Sequence, residues 1–443
     1  MLKLIENKRT VLIIIHVIIG GLLTLPFFSR IYGFIILAVP ILILLYTKNR
    51  NEEAFIFSSY LVGAEVFIRM SNGFVLYESG KYGVILFLIF GILIGEFRQK
   101  FSLNYISYIF LLLLGIVFTQ VPENESIRKA IAFNLSGPIV LGVSSFYFYH
   151  RKITREQLFR ALFFMLLPLL SMVTYLYFRT PDLKEIVFGA TANFATSGGF
   201  GPNQVSTAIG LGIFIIAVFI LLKKRITGFV FIDALLLIYF IYRGLLTFSR
   251  GGIITGIAAL VFFLFFYSLY QRRSLVIISK YLIMGGLFTV GIWLYTSNIT
   301  GGMLDNRYAG KNAKGVQKED ISSGRIDILE EQIKSFVDNP FGIGVGNGKY
   351  KRQLRLNHVT AASHNEVGRL IEEHGIIGFV LLVGLLMIPL FSFWNGNNYE
   401  RAFCIAFYLL WFLTINHSAM RIAFPGFIYA LSLMKIIDNE AAE

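Results

Sequence analysis

The chain has 443 residues, 56% of them hydrophobic and only 15% charged, with 44 phenylalanines; that balance excludes an ordinary soluble globular domain. Its formal net charge of +14 comes from short basic clusters between apolar stretches, which is membrane anchoring rather than a nucleic-acid groove, and no nucleic-acid partner is expected. The single cysteine, Cys404, excludes intrachain disulfides and thiolate zinc sites.

In chain order, stretches long enough to cross a ~30 Å hydrocarbon core predict about 14 helices. They centre near Ile19, Leu37, Val62, Leu88, Phe110, Val140, Leu167, Phe214, Leu236, Leu260, Leu287, Leu382, Tyr408 and Tyr429. The third is interrupted by Glu65 and Arg69, so about 12 to 14 spans are expected. The first stretch has a charged start but no small-residue cleavage site after it, so it reads as a retained span. The clusters "KLIENKR", "TKNR", "FRQK", "HRKITR", "LKKR", "QRR" and "YER" fall on alternate loops. Short basic loops stay in the cytoplasm, so both termini are expected there in an all-α, polytopic, multi-pass membrane protein.

Three connections then face outward: 179–204 ("RTPDLKEIVFGATANFATSGGFGPNQ"), 242–252 ("YRGLLTFSRGG") and a long segment from about Ser297 to Gly375. A loop that long is usually functional or disordered. The chain is accordingly divided at 1–296, an N-terminal bundle; 297–375, the outward loop; and 376–443, the C-terminal helices. Within the loop, "GRIDILEEQIKSFVDNP" places Ile326, Leu329, Ile333, Phe336 and Val337 on one face and predicts a short amphipathic helix at the membrane surface, stopped by Asn339-Pro340. "NPFGIGVGNG" lacks the preceding strand and lysine of a P-loop and reads as a tight turn.

"SHNEVGRLIEEHG" (363–375) brings two histidines, an arginine and three glutamates against an apolar run. The Ser363-x-x-Glu366 spacing is that of a capping box and predicts a helix from His364, with His364 and Asn365 in its first turn. The positive end of the dipole there disfavours an imidazolium, so a neutral His364 suits a proton acceptor. The plainer reading is an interfacial histidine, with Arg369 paired to Glu366, Glu372 or Glu373 and His374 ending the polar section. Arg250, in "FSRGG", lies at the expected outer boundary, followed by glycines that leave the backbone open to a ligand. Arg325 opens the amphipathic helix, where a cation opposes the dipole. Both suit a bidentate phosphate or diphosphate contact, the alternative being lipid headgroups. No Asp-x-Asp pair occurs, so neither metal nor cofactor is expected.

This series, "SRGG" opening a span, then "SGRIDILEEQIKSFVDNPFGIGVGNG", then "HNEVGRLIEEHGIIG", resembles the O-antigen ligase and O-antigen polymerase superfamily, with "GGFGPNQVST" similar to the form found in Bacteroidota. The resemblance implies a type C-like membrane fold in the bacterial inner membrane. It implies an inverting, metal-independent glycosyltransferase whose periplasmic site moves a glycan from undecaprenyl diphosphate to an acceptor, either lipid A core or a lipid-linked repeat. Arg250 and Arg325 match the diphosphate-binding arginines and His364 the essential histidine. Arg243, Asn365, Arg369 and Glu373 are the expected substrate-binding residues. "EVGRLIE" departs from the family's usual apolar filling. The rival class is a lipid-linked oligosaccharide flippase, for which the intramembrane charges Glu65, Arg69 and Asp233 would mark the path.

Overall fold

The computed structural model describes residues 9–96, 100–271, 275–320, 322, 324–355 and 363–438. Among them are seventeen α-helices and one two-stranded sheet. Every expected span centre falls inside a helix. Six helices are by themselves long and apolar enough to cross a membrane: Pro26–Thr47, Ile127–Phe148, Arg155–Arg179, Pro202–Leu221, Arg250–Tyr270 and Glu366–Asn395. Several of the others are shorter, and Ala423–Leu431 has nine residues. The chain is an all-α, multi-pass membrane protein.

Burial sorts the helices into two layers. Glu53–Met70, Arg155–Arg179 and Pro202–Leu221 are buried on nearly all sides, the first with its charges Glu65 and Arg69 paired inside the protein. Around them, Pro26–Thr47 turns Phe27, Phe34 and Leu42 outward, and Glu366–Asn395 does the same with Phe379, Val380 and Phe391. Such a belt of exposed large apolar side chains faces lipid. One core cluster runs from Ile13 to Ile436, so early and late helices close on one another.

The basic clusters gather at one end. Arg9 donates to the Arg225 carbonyl at 3.1 Å, Asn49 to the Tyr147 hydroxyl at 3.1 Å and the Lys100 amide to the Tyr149 carbonyl at 3.0 Å. Arg155 reaches both the Tyr270 hydroxyl, at 3.1 Å, and Asp438, at 2.7 Å. Lys152–Thr154 pairs in parallel with Lys435–Ile437, and the Ile436 amide donates to Glu400 at 3.1 Å. Residues 3–8, 97–99, 272 and 273 of these clusters lie outside the described residues. The intramembrane charges are mutually satisfied. Arg69 binds Glu65 at 2.6 Å and Glu78 at 2.8 Å, and Asp233 accepts from the Ile226 and Thr227 amides at 3.1 and 2.9 Å.

Helices Pro202–Leu221 and Arg250–Tyr270 cross in near backbone contact. A Cβ on Gly252 would strike the Ser206 carbonyl, and one on Gly251 the His417 ring. The glycines after Arg250 therefore serve helix crossing, which corrects the expectation that they open the backbone to a ligand. The Gly252→Leu exchange should destabilise the protein by about 1–3 kcal/mol or more through overpacking, read as a lower melting temperature in detergent. Gly285→Leu, at a helical glycine with nothing within 4 Å, should leave the melt unchanged.

Candidate functional site

The end away from the basic clusters is built by stitching the outward connections together. Arg243, 4% exposed, donates to the Leu176 carbonyl at 3.2 Å, the Thr180 hydroxyl at 2.7 Å and the Thr196 carbonyl at 3.2 Å. This ties the first connection to the second. The Asn193 amide donates to the Thr247 carbonyl at 2.9 Å, and Ser249 donates to Asn203 at 2.8 Å. Phe248, wholly buried, sits at φ 55°, a left-handed conformation that costs a residue with a side chain roughly 1–2 kcal/mol. The strain is held by stacking on Phe188 at 5.4 Å and by a 3.1 Å bond from Arg307 Nε to the Phe248 carbonyl. The turn makes Arg250 the first residue of its helix, at the positive end of the dipole.

The third connection folds onto this base. Arg325–Asp338 is the expected amphipathic helix. It rests on the next helix through Gln332 and Ser335 and leaves Ile326, Ile333 and Val337 exposed, a stripe suited to a membrane surface. "GIGVGNG" is a threaded turn. Gly342, Gly344 and Gly346 all have positive φ, and Cβ atoms there would meet Glu373, Phe118 and Ala130. Its amides bond the Glu372, Glu373 and Gly115 carbonyls at 3.1–3.2 Å. The Glu366–Asn395 helix breaks at Gly375, φ 59°, where the Ile376 amide turns to the Pro340 carbonyl at 2.8 Å.

The helix cap differs from expectation. Asn365 is the N-cap, accepting from the Gly368 amide at 3.1 Å, and the helix begins at Glu366. Ser363 bonds Asn365 instead. Glu366 cannot close a capping box because its carboxylate is held by Arg369. Arg369 also binds Glu373 at 2.8 Å, so the plainer reading of these charges as ion pairs is what forms. Glu366 further accepts from the Met420 amide at 3.2 Å and Glu373 from the Gly346 amide at 2.9 Å. His374 is 3% exposed and packs on Gly115.

His364 therefore sits just outside the helix. Its neighbour Ser363 accepts through its carbonyl from Arg421, at 2.7 Å. Burial, then Arg421, Arg325 and His417, hold the His364 pKa down at about 4, so the ring is neutral near pH 7. Burial and Arg250 lower the Arg325 value. Burial, Arg250 and Arg325 do the same to Arg307. The buried Tyr308 phenol, pushed up to about 12 by burial against Arg250 and Arg307, has no hydrogen-bond partner for its hydroxyl. Among the described residues no carboxylate forms an ion pair with Arg250, Arg307, Arg325 or Arg421. Four guanidiniums without a counter-ion beside a neutral imidazole form a site prepared for an anion.

Of the sequence-predicted residues, the structure brings Arg250, Arg325 and His364 together and places Asn365, Arg369 and Glu373 beneath them. Arg243 is held by its three oxygen partners and by burial, away from the cluster's open donors. Arg307, Tyr308 and Arg421 were not singled out from the sequence. "LDNRYAG" has no periodicity to betray it, and Arg421 follows a span in a turn of a few residues.

Residues 234–383 match the family model described as O-antigen ligase, and all seven expected site residues fall within that range. The match covers the part of the chain that holds the site, less than half of its length. No curated protein matches the chain.

Opposite stability responses should separate structural from functional arginines. Arg243→Gln, which abandons buried partners, should cost about 2 kcal/mol or more. Arg325→Gln, which relieves repulsion, should hold or raise the melting temperature in the same thermal-shift measurement.

Proposed function

We propose that the chain is an inverting, metal-independent glycosyltransferase that takes a glycan from a polyprenyl diphosphate at the outer face of a bacterial inner membrane and passes it to an acceptor sugar hydroxyl. One observation carries this reading: unpaired Arg250, Arg307 and Arg325 converge beside a neutral His364. The end opposite the basic clusters is the outer face by the positive-inside rule. An apolar groove of about 690 Å³ between Val230–Leu246 and Leu275–Ile299, lined by Tyr239, Leu287 and Tyr295, suits the lipid chain. It leads toward the cluster through Trp293, which packs on Tyr308 at 4.5 Å.

In the reaction the arginines and the Tyr308 hydroxyl hold the diphosphate and stabilise the charge that grows as it leaves. His364 takes the proton of the acceptor hydroxyl. The freed oxygen pair attacks the anomeric carbon from the face opposite the diphosphate, and the carbon–oxygen bond breaks with its electrons on the departing lipid diphosphate. Configuration inverts. Diphosphate is a good leaving group, so positioning and charge suffice. Glu65, Arg69 and Asp233, the charges on which the flippase reading leans, are engaged by fixed partners.

Glycans from a strain lacking the chain, complemented with wild type or His364→Ala, test the reading. Single repeats on the acceptor indicate a polymerase, and full-length polymer left on its carrier indicates a ligase. Unaltered glycans with His364→Ala fully active would sink the transferase. Arg250→Lys and Arg325→Lys should each lower kcat about 10-fold to 1,000-fold, since an ammonium lacks the bidentate fork.

The pH profile follows from the sign of the His364 shift. A base with pKa about 4 loses activity only as pH falls through that value, so the acid limb of kcat/KM lies well below that of an ordinary histidine. Bound diphosphate offsets the nearby positive charge and raises the pKa, so the acid limb of kcat should lie at higher pH than that of kcat/KM. Coincident limbs near pH 6.5 would remove His364 as the base.

A further inference from the structure

A second cavity, about 350 Å³, opens at the same end as the arginine cluster; it shares Arg421 with that cluster but none of Arg250, Arg307 or Arg325. Its wall toward the site is Ser363 and Arg421, the residue before His364 and the arginine bearing on that ring. Its floor is the Arg369–Glu373 pair. Its mouth carries the exposed Glu125 and Lys129 together with Lys349 and Tyr350.

We propose that this cavity seats the acceptor glycan, presenting one hydroxyl past Ser363 to His364. The inference rests on the transferase reading and assigns it a subsite, a ligand class and new residues.

The lining chemistry separates it from the donor site. The cluster holds cations with no paired acid, which suits a diphosphate. The cavity mixes signs: Glu125 faces Lys349 at 3.8 Å, and its floor pair is neutral as a unit. Fixed donors and acceptors of both kinds suit sugar hydroxyls, which both donate and accept. Asn134 is anchored by its Nδ2, which donates to the Ala130 carbonyl at 2.9 Å. Its Oδ1, with no hydrogen bond among the described residues, supplies an acceptor.

Tyr350 gives an aromatic face at the mouth, its pKa raised by burial and by the Glu125 carboxylate. Phe133 gives a second ring, already covered by the Arg421 guanidinium at 5.0 Å. The volume is at the small end of ligand pockets and fits the terminal part of a glycan rather than a lipid chain. The mouth residues are charged and exposed, so the acceptor enters from water. The apolar groove that suits the donor's lipid shares no lining residue with this cavity.

The test uses the full chain in proteoliposomes with its lipid-linked donor, titrating lipid A core and the lipid-linked single repeat as acceptors. Ala130→Trp fills the cavity without altering its charge, and Tyr350→Ala removes a half-exposed mouth ring with little risk to folding. Each should raise the acceptor KM about tenfold or more, as losing one good pocket contact does, with the donor KM within about twofold of wild type. An unchanged acceptor KM in Tyr350→Ala and in a folded Ala130→Trp overturns the subsite, as does a shift in the donor KM instead. A wild-type protein that transfers nothing to either acceptor removes the transferase reading itself, and that outcome is read before any variant is made.

Discussion

The site hangs on a buried ion pair that makes no salt bridge to Arg250, Arg307 or Arg325. Arg369 lies between Glu366 and Glu373, and each carboxylate has a second task. Glu366 holds the Met420 amide and with it the turn that presents Arg421. Glu373 holds the Gly346 amide and thus the threaded glycine turn. Paired and fully hydrogen-bonded charge is the only form in which such groups are tolerated in an interior, and removal of one partner leaves the other charge stranded. One guanidinium therefore fixes three chain segments that sequence holds far apart.

The arginine cluster obeys the opposite rule. Arg250, Arg307 and Arg325 are kept close with no ion-pairing carboxylate among the described residues, and burial and mutual repulsion lower the values of two of them. The fold absorbs that repulsion through Phe248, whose strained turn both starts the Arg250 helix and receives Arg307. A pre-formed cationic seat needs no reorganisation when an anion arrives, which is where such electrostatic stabilisation gets its strength. The neutrality of His364 comes first from burial, and Arg421, Arg325 and His417 add to it.

Much of this was legible in sequence because membranes simplify the signal. Apolar length located every helix of the bundle, and cation placement sorted its two ends. The helix at Arg325 showed in its periodicity, and Arg250, Arg325 and His364 stood out as polar groups at apolar boundaries. What failed was contextual. Arg243 looks identical to its neighbours in sequence, yet three oxygen partners drawn from residues 176–196 immobilise it. Gly251 and Gly252 were read as ligand access because no local pattern reports a helix crossing. Ser363 and Asn365 are both good caps, and the tie was broken by Arg369 claiming Glu366. Arg307 and Arg421 gain their roles only from where the chain returns.

The small parallel sheet at the basic end, joining Lys152–Thr154 to Lys435–Ile437, sets a schedule for biogenesis. Its first strand leaves the ribosome nearly three hundred residues before its partner, so most helices must be inserted while that edge stands open. Asp438, which meets Arg155 just beyond the sheet, arrives later still. The bundle is thus latched by residues that follow the Ala423–Leu431 helix, and a nascent chain that stopped before them would carry the whole arginine cluster in an unfastened frame.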